Sequence, residues 1–335
     1  MLHPDKINTF VQIYMCMRQI TVGIDIGGTN TAIGFVDREG NCLFETSIPT
    51  KEYVEIEPYM KNLCVLIQNE LQKHTDCQLM GIGIGAPNAN YHRGTIEEAP
   101  NLSWKGTVHF CKMMGEYFPN VKIAITNDAN AAAMGEMIFG AAKGLTDFVV
   151  ITLGTGVGSG IVVNGDLVYG HDGFAGEVGH TTVFPGGREC GCGKKGCLEA
   201  YASASGITRT VTELLCQTRK PSSLRDIAFN KLTSYDVFKA YQAGDEIAKE
   251  TFEYTGKILG IKFADVVCHT SPSHIFLFGG PAKAGDAIIN PAKKSMEEYL
   301  LPIFKNKIKI QLSGLMDKNA AVLGASALAW KELEK

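Results

Sequence analysis

The 335-residue chain is poor in several features, and each shortage excludes something. No apolar run approaches the roughly 20 residues that a membrane-spanning helix needs, so no bilayer anchor is expected. No dense Lys/Arg tract appears. Basic residues number 32 against 35 acidic ones, for a formal net charge of -3, so nucleic acid is not an expected partner. The stretch before Arg18, MLHPDKINTFVQIYMCM, lacks a basic n-region, a long apolar core and a small-residue cleavage site, so it does not read as a signal peptide. It is an extension, or translation begins at Met15 or Met17. No G-x-G-x-x-G register fits the glycine-rich turns. Gly193-Lys194 and Gly256-Lys257 lack the following Ser or Thr of a Walker A loop. There is no low-complexity linker, yet the chain is too long for one ordinary core, so two domains are the default. The balance of 45% hydrophobic and 20% charged residues is that of a soluble globular protein.

What is present is repetition. QITVGIDIGGTNTAIGFVDREGNCLFETSIPT, from Gln19, reads as strand, glycine turn, strand, turn, strand. FVVITLGTGVGSGIVVNGDLVYG repeats that plan, and its Asn164-Gly165 pair is a type I′ hairpin signal. One supersecondary unit used twice predicts a similar sheet in each half. Between the copies, Met60, Leu63, Cys64, Ile67 and Leu71 fall at helical spacing. LMGIGIGAP and VKIAITNDAN read as strands, and NAAAMGEMIFGAA as an alanine-rich helix. Later, TFEYTGKILGIKFADVVCHT is helical, HIFLFGGP and KIKIQLS are strands, and DKNAAVLGASALAWKEL is a closing helix capped by Asp317. Alternating strands and helices predict an α/β protein with largely parallel sheets. A boundary is expected near Asn127: residues 1–127 plus the returning helix 318–335 form one domain, and 128–317 the other.

Four motifs carry candidate chemistry, each beside a plainer alternative. In DIGGTN, Gly27, Gly28 and Thr29 either form a simple hairpin turn or cradle phosphate oxygens, with Asp25 holding magnesium directly or through water. LGTGVGSG, with Gly154, Thr155 and Gly156, is the matching turn of the second copy. Gly279 and Gly280 in FGGP either pass beneath a base or ribose, or lead into a helix with Pro281 first. In TNDAN, Asn127 and Asp128 sit at a strand's C-terminal end, where α/β ligand sites lie. Asp128 is the helix N-cap, or a carboxylate that accepts a substrate proton, or both.

Ten cysteines are present. Cys16, Cys42, Cys64, Cys77, Cys111, Cys216 and Cys268 are scattered, and read as reduced core thiols of a cytoplasmic protein. His180, Cys190, Cys192 and Cys197 instead crowd one glycine-broken stretch and form a Cys3His set suited to tetrahedral zinc. Four ligands close the metal's shell, which indicates a structural rather than a catalytic ion. Glu177 and Glu199 flank the knot and are placed to accept hydrogen bonds from a polyol. His180 can bind metal through one ring nitrogen and donate to substrate through the other.

In this order, these motifs resemble the ROK family of repressors, open reading frames and kinases, over roughly Ile20 to Leu333. The most specific part is LGTGVGSGIVVNGDLVYGHDGFAGEVGH followed by CGCGKKGCLEAYAS. The resemblance implies the duplicated actin-like, ribonuclease H-like fold, with two domains around a cleft. It implies Asp128 as catalytic base. Asp25, Gly27, Gly28 and Thr29 resemble a first phosphate loop, Gly154, Thr155 and Gly156 a second, and Gly279 and Gly280 an adenosine motif. Asn101, Asn127, Asp128, Glu177, His180 and Glu199 resemble the sugar-contacting set. His180, Cys190, Cys192 and Cys197 match the zinc set. One departure is visible: many such kinases carry Pro-Gly where this chain has Pro87-Asn88. The implied activity is ATP- and magnesium-dependent phosphorylation of the 6-hydroxyl of a hexose. Glucose is favoured, with N-acetylmannosamine or another N-acetylhexosamine as runner-up, since such pockets discriminate by only about 1–3 kcal/mol per methylene-sized difference. A homodimer is common in the family. The alternative of another class is a sugar-responsive repressor, against which stand the short stretch before Asp25 and the negative charge.

Overall fold

The computed structural model describes residues 17–316 and 319–335. Cys16, the stretch read as lacking a signal peptide up to that residue, and the expected cap Asp317 lie outside them. The chain divides into two compact units.

The first unit runs to Phe139 and includes His171–Phe174 and the closing helix. Its sheet is built from β1 (Arg18–Ile26), β2 (Thr31–Asp37), β3 (Cys42–Ile48), then, after helix α1 (Ile56–Lys73), β4 (Cys77–Gly85). A small sheet of β5 (Ala89–Asn90), β6 (Thr95–Glu97) and β7 (Thr107–Val108) follows, with no alternation long enough to announce it in the sequence. Helix α2 (Phe110–Tyr117), strand β8 (Lys122–Thr126) and helix α3 (Asp128–Phe139) complete this part. The main sheet has the order β3-β2-β1-β4-β8, antiparallel among its first three strands and parallel from β1 onward.

The second unit contains β9 (Phe148–Leu153), β10 (Val157–Val163) and β11 (Asp166–Leu167). Four helices follow: α4 (Glu199–Ala202), α5 (Ala204–Gln217), α6 (Ser234–Gln242) and α7 (Glu246–Thr270). Strand β12 (His274–Phe278), helix α8 (Asp286–Tyr299) and strand β13 (Lys309–Leu312) end it. The sheet order, β11-β10-β9-β12-β13, repeats the first unit's, with the same antiparallel and parallel pairings. The predicted duplication is therefore real at the level of strand topology. Asn164 and Gly165 both have positive φ, 53° and 79°, as the type I′ turn requires.

Alternation decides how the first sheet is covered. Ile20, Val22, Ile24, Ile82 and Ile84 face one way, into a core completed by Tyr59, Leu63 and Ile67 of α1 and Phe110 and Met114 of α2. The other face carries Thr21, Gly23, Gly81 and Gly83. There the closing helix α9 (Ala320–Leu333) lies almost on the backbone. A Cβ on Gly23 would run into the Val322 carbonyl, and one on Gly83 into the Ala325 carbonyl. Thr21 Oγ1 bonds Ser326 Oγ at 2.7 Å. On α9, Gly324 lets the Ala131 carbonyl of α3 come equally close. Asn319 caps α9, its side chain accepting from the Val322 N–H.

Two expectations need correction. The division falls after Phe139 rather than near Asn127, because α3 packs on α9 and stays with the first unit. Cys216 and Cys268 are exposed rather than core thiols, whereas Cys64 is buried.

Replacing a glycine of the covered face should force helix and sheet apart. Gly83→Ala is expected to lose about 1–3 kcal/mol or more of unfolding free energy in urea. Gly85→Ala, whose Cβ would come no nearer than 3.3 Å to the Ala131 Cβ and 3.9 Å to Asp25 Oδ1 and the Ile24 carbonyl, should lose less. Equal losses would mean that α9 does not rest on the glycines.

Candidate active site

In each unit the polar motifs stand at the C-terminal ends of the parallel strands. In the first, Asp25 is the penultimate residue of β1, between Ala32 of β2 and Gly85 of β4. The chain then turns through Gly27, Gly28 and Thr29, and the Gly27 N–H donates to the Asn30 carbonyl at 3.0 Å. The turn is thus a true hairpin, with Thr29 exposed. A side chain on Gly28 would collide with the Asn101 carbonyl, so Asn101 stands beside this turn.

At the end of β8, the cap of α3 is Asn127, not Asp128. Asn127 Oδ1 accepts from the Asn130 N–H at 2.7 Å, and its carbonyl accepts from the Ala131 N–H at 2.9 Å. Asp128 is the first helical residue, and its Oδ1 accepts from the Ala129 N–H at 2.8 Å. By surface area Asp128 is exposed, although protein atoms crowd it on most sides. Water therefore reaches the carboxylate, and the dehydration that raises its pKa sets only a direction. Asp25 is half-buried, and burial, then the charge of Asp128, lift its carboxyl to about 6. A half-buried carboxyl whose ionisation a second carboxylate disfavours forms a place where a cation gains.

Asn88 explains the departure from Pro-Gly. Its φ is 50°, in the left-handed region that glycine enters freely and asparagine tolerates best among other residues. Its Nδ2 donates to the Glu98 carbonyl at 3.2 Å.

In the second unit, Gly154, Thr155 and Gly156 link β9 to β10, with the Gly154 N–H donating to the Gly156 carbonyl at 2.9 Å. Gly279 follows β12 with φ of 103°, and a Cβ there would strike the Leu153 carbonyl. A Cβ on Gly280 would meet nothing within 4 Å, and Pro281 opens a 3-10 turn, as the helix-entry reading of FGGP expects.

The cysteine knot assembles as expected from its residues. One ligand atom each from His180, Cys190, Cys192 and Cys197 lies within 4.8 Å of the others. Cys192 and Cys197 Sγ are 3.7 Å apart, and Cys190 Sγ is 3.6 Å from His180 Nδ1. Ligands about 2.3 Å from a tetrahedral centre stand about 3.8 Å apart, so the spacing fits zinc. Nδ1 faces the sulfurs, while Nε2 lies 4.0 Å from Glu177 Oε2. Glu199 is half-buried; its Oε2 accepts from the Val157 N–H at 3.1 Å.

Sequence reasoning missed Arg188. Its guanidinium is buried and donates to the Ala200 and Gly206 carbonyls at 3.1 and 3.3 Å and to Thr210 Oγ1 at 3.0 Å. It also lies over the Tyr201 ring. Its Nη2 pairs with Glu213 Oε2 at 2.5 Å, and two of its partners are backbone carbonyls, which leave no mark in a sequence.

Two copies of a five-stranded mixed sheet, with glycine turns at the strand ends of both, define an actin-like ATPase fold. The ROK family model matches residues 21–332, and the chain belongs to that family. It is 36% identical over 312 residues to a glucokinase of Halalkalibacterium halodurans, across 92% of this chain and 94% of that protein. It is 28% identical to a xylose repressor of Caldicellulosiruptor bescii, across 93% of this chain and 78% of that protein. A ROK family glucokinase from Streptomyces griseus, solved with glucose and AMPPNP, superposes with a TM-score of 0.76. It is 31% identical, over 93% of this chain and 99% of that one.

The acid pair makes a stability prediction. Asp25 keeps a proton in the folded state between its ordinary 3.8 and about 6, where the unfolded chain has lost it. Stability is therefore lost as pH rises through that window, by up to about 3 kcal/mol. In metal-free buffer Asp25→Asn should raise the unfolding free energy at pH 8 and flatten the slope from pH 4 to 7. A less stable variant at pH 8 would contradict the assigned strain.

Proposed function

We propose that this chain is an ATP-dependent kinase that phosphorylates the 6-hydroxyl of a hexose, glucose first. The observation that carries this reading is Asp128. Its neighbour Asn127 does the capping, so an exposed carboxylate with a raised pKa is left at the end of β8. A carboxylate in that state is a competent proton acceptor. The similarity to glucokinases at 31–36% identity supports the substrate class.

In this reading, the sugar is held by Asn101, Asn127, Glu177, His180 and Glu199. ATP phosphates lie on the turns Gly27–Gly28–Thr29 and Gly154–Thr155–Gly156, and the adenosine passes Gly279 and Gly280. Asp128 orients the 6-hydroxyl and takes its proton as the oxygen attacks the γ-phosphorus, and ADP leaves. Asp25 would hold magnesium, which neutralises phosphate charge when bound. Phosphoryl transfer passes through a loose transition state, so orientation by these residues contributes more than proton removal itself. His180, Cys190, Cys192 and Cys197 would hold a structural zinc that fixes the loop bearing Glu177 and Glu199. On the family resemblance the enzyme is a cytoplasmic homodimer. No helix among the described residues is long and apolar enough to cross a membrane.

The similarity to a xylose repressor favours one second reading, a sugar-responsive regulator. Such a protein binds sugar without releasing ADP. An ADP-release assay over hexoses and N-acetylhexosamines separates the two, and ranks glucose against N-acetylmannosamine.

Asp128→Asn is expected to lower kcat by at least about 100-fold, with glucose still bound in calorimetry. Near wild-type turnover would remove the base from this scheme. Elemental analysis of active protein should find about one zinc per chain, lost together with the thermal stability of the second unit when Cys190→Ser is introduced. Active protein free of zinc would refute the metal's role.

A further inference from the structure

The segment leaving the cysteine knot is also the support of the second glycine turn. Two hydrogen bonds join them. Glu199 Oε2 accepts from the Val157 N–H at 3.1 Å, directly after Gly156, and the Ala204 N–H donates to the Gly154 carbonyl at 2.8 Å. Gly156 has no room for a side chain on that flank, since its Cβ would fall on Glu199 Oε2. Its Oε1 also lies 3.3 Å from Cys190 Sγ, a bond that the free thiol donates and a metal-bound thiolate does not. Arg188 clamps the adjoining helices through the Ala200 and Gly206 carbonyls. The turn from Gly154 to Gly156 is therefore tied by two bonds to the segment that directly follows Cys197.

We infer that Glu199, besides any contact with sugar, is the positioning residue of the Gly154–Gly156 turn and sets nucleotide affinity through it. The inference rests on the proposed use of that turn for ATP phosphates. It makes the sugar-contacting segment and the phosphate turn one mechanical piece. A loss of the Glu199 side chain is then felt by the nucleotide even when no sugar is present, which a role in sugar recognition alone would not produce.

The test is calorimetric titration of the intact protein with AMPPNP and magnesium, without sugar. Glu199→Ala removes the acceptor from the Val157 N–H and should weaken AMPPNP binding by about tenfold or more. Glu199→Gln keeps a carbonyl oxygen of the same reach, so it should bind AMPPNP within about threefold of wild type. The same glutamine variant should still lose glucose affinity, since the charged acceptor is gone. If Glu199→Ala does not fold, Glu199→Asp gives the same readout, because its carboxylate is one methylene too short for Val157. Wild-type binding of AMPPNP with unchanged affinity in the alanine or aspartate variant overturns this inference alone. A wild-type protein that binds no AMPPNP overturns the nucleotide reading and this inference with it.

Discussion

The first unit depends on a helix lying against bare backbone. Strands β1 and β4 place isoleucine and valine on one face and threonine and glycine on the other. The apolar face is buried by α1 and α2 in the ordinary way. The glycine face instead admits α9 to within contact of the strand backbone, and Gly324 of α9 admits α3. Close packing of this kind is rigid, because no flexible side chain lies between the layers. Helix α3 begins at Asp128, and β1 ends beside Asp25. The distance between the two carboxylates is thus set by backbone contacts several layers away.

That rigidity holds an unfavourable arrangement in place. Burial first, and then the charge of Asp128, raises the cost of ionising Asp25, and burial raises it for Asp128. A fold free to relax would separate them. Functional sites commonly retain such electrostatic strain, which a bound cation can relieve. The second unit solves a related problem differently. Its glycine turn is held by the first residues of α4 and α5, through the Glu199 carboxylate and the Ala204 N–H. The cysteine knot, with ligand atoms within 4.8 Å, anchors that support.

Much of this was legible in the sequence. The repeated strand-turn-strand pattern announced two like sheets, and Asn164-Gly165 announced its hairpin, because both rest on local backbone preferences. The Cys3His set was legible because few other structures need three thiols and an imidazole so close together. The division after Phe139 was not, since it depends on α3 meeting α9, residues far apart in the chain. Asn127 and Asp128 are both good capping residues, so their neighbouring roles separate only when the hydrogen bonds are seen. Arg188 and Glu199 each bond backbone groups, which every sequence has, and the side-chain partners of Arg188 lie 13 to 25 residues further on.

The scheme turns on which atom faces the attacking hydroxyl. The most direct measurement is a crystal structure of this chain with glucose, AMPPNP and magnesium. A carboxylate oxygen of Asp128 should lie about 2.6–3.2 Å from the 6-hydroxyl oxygen. A 6-hydroxyl bonded elsewhere, with Asp128 turned from the sugar, would contradict the assignment of the base.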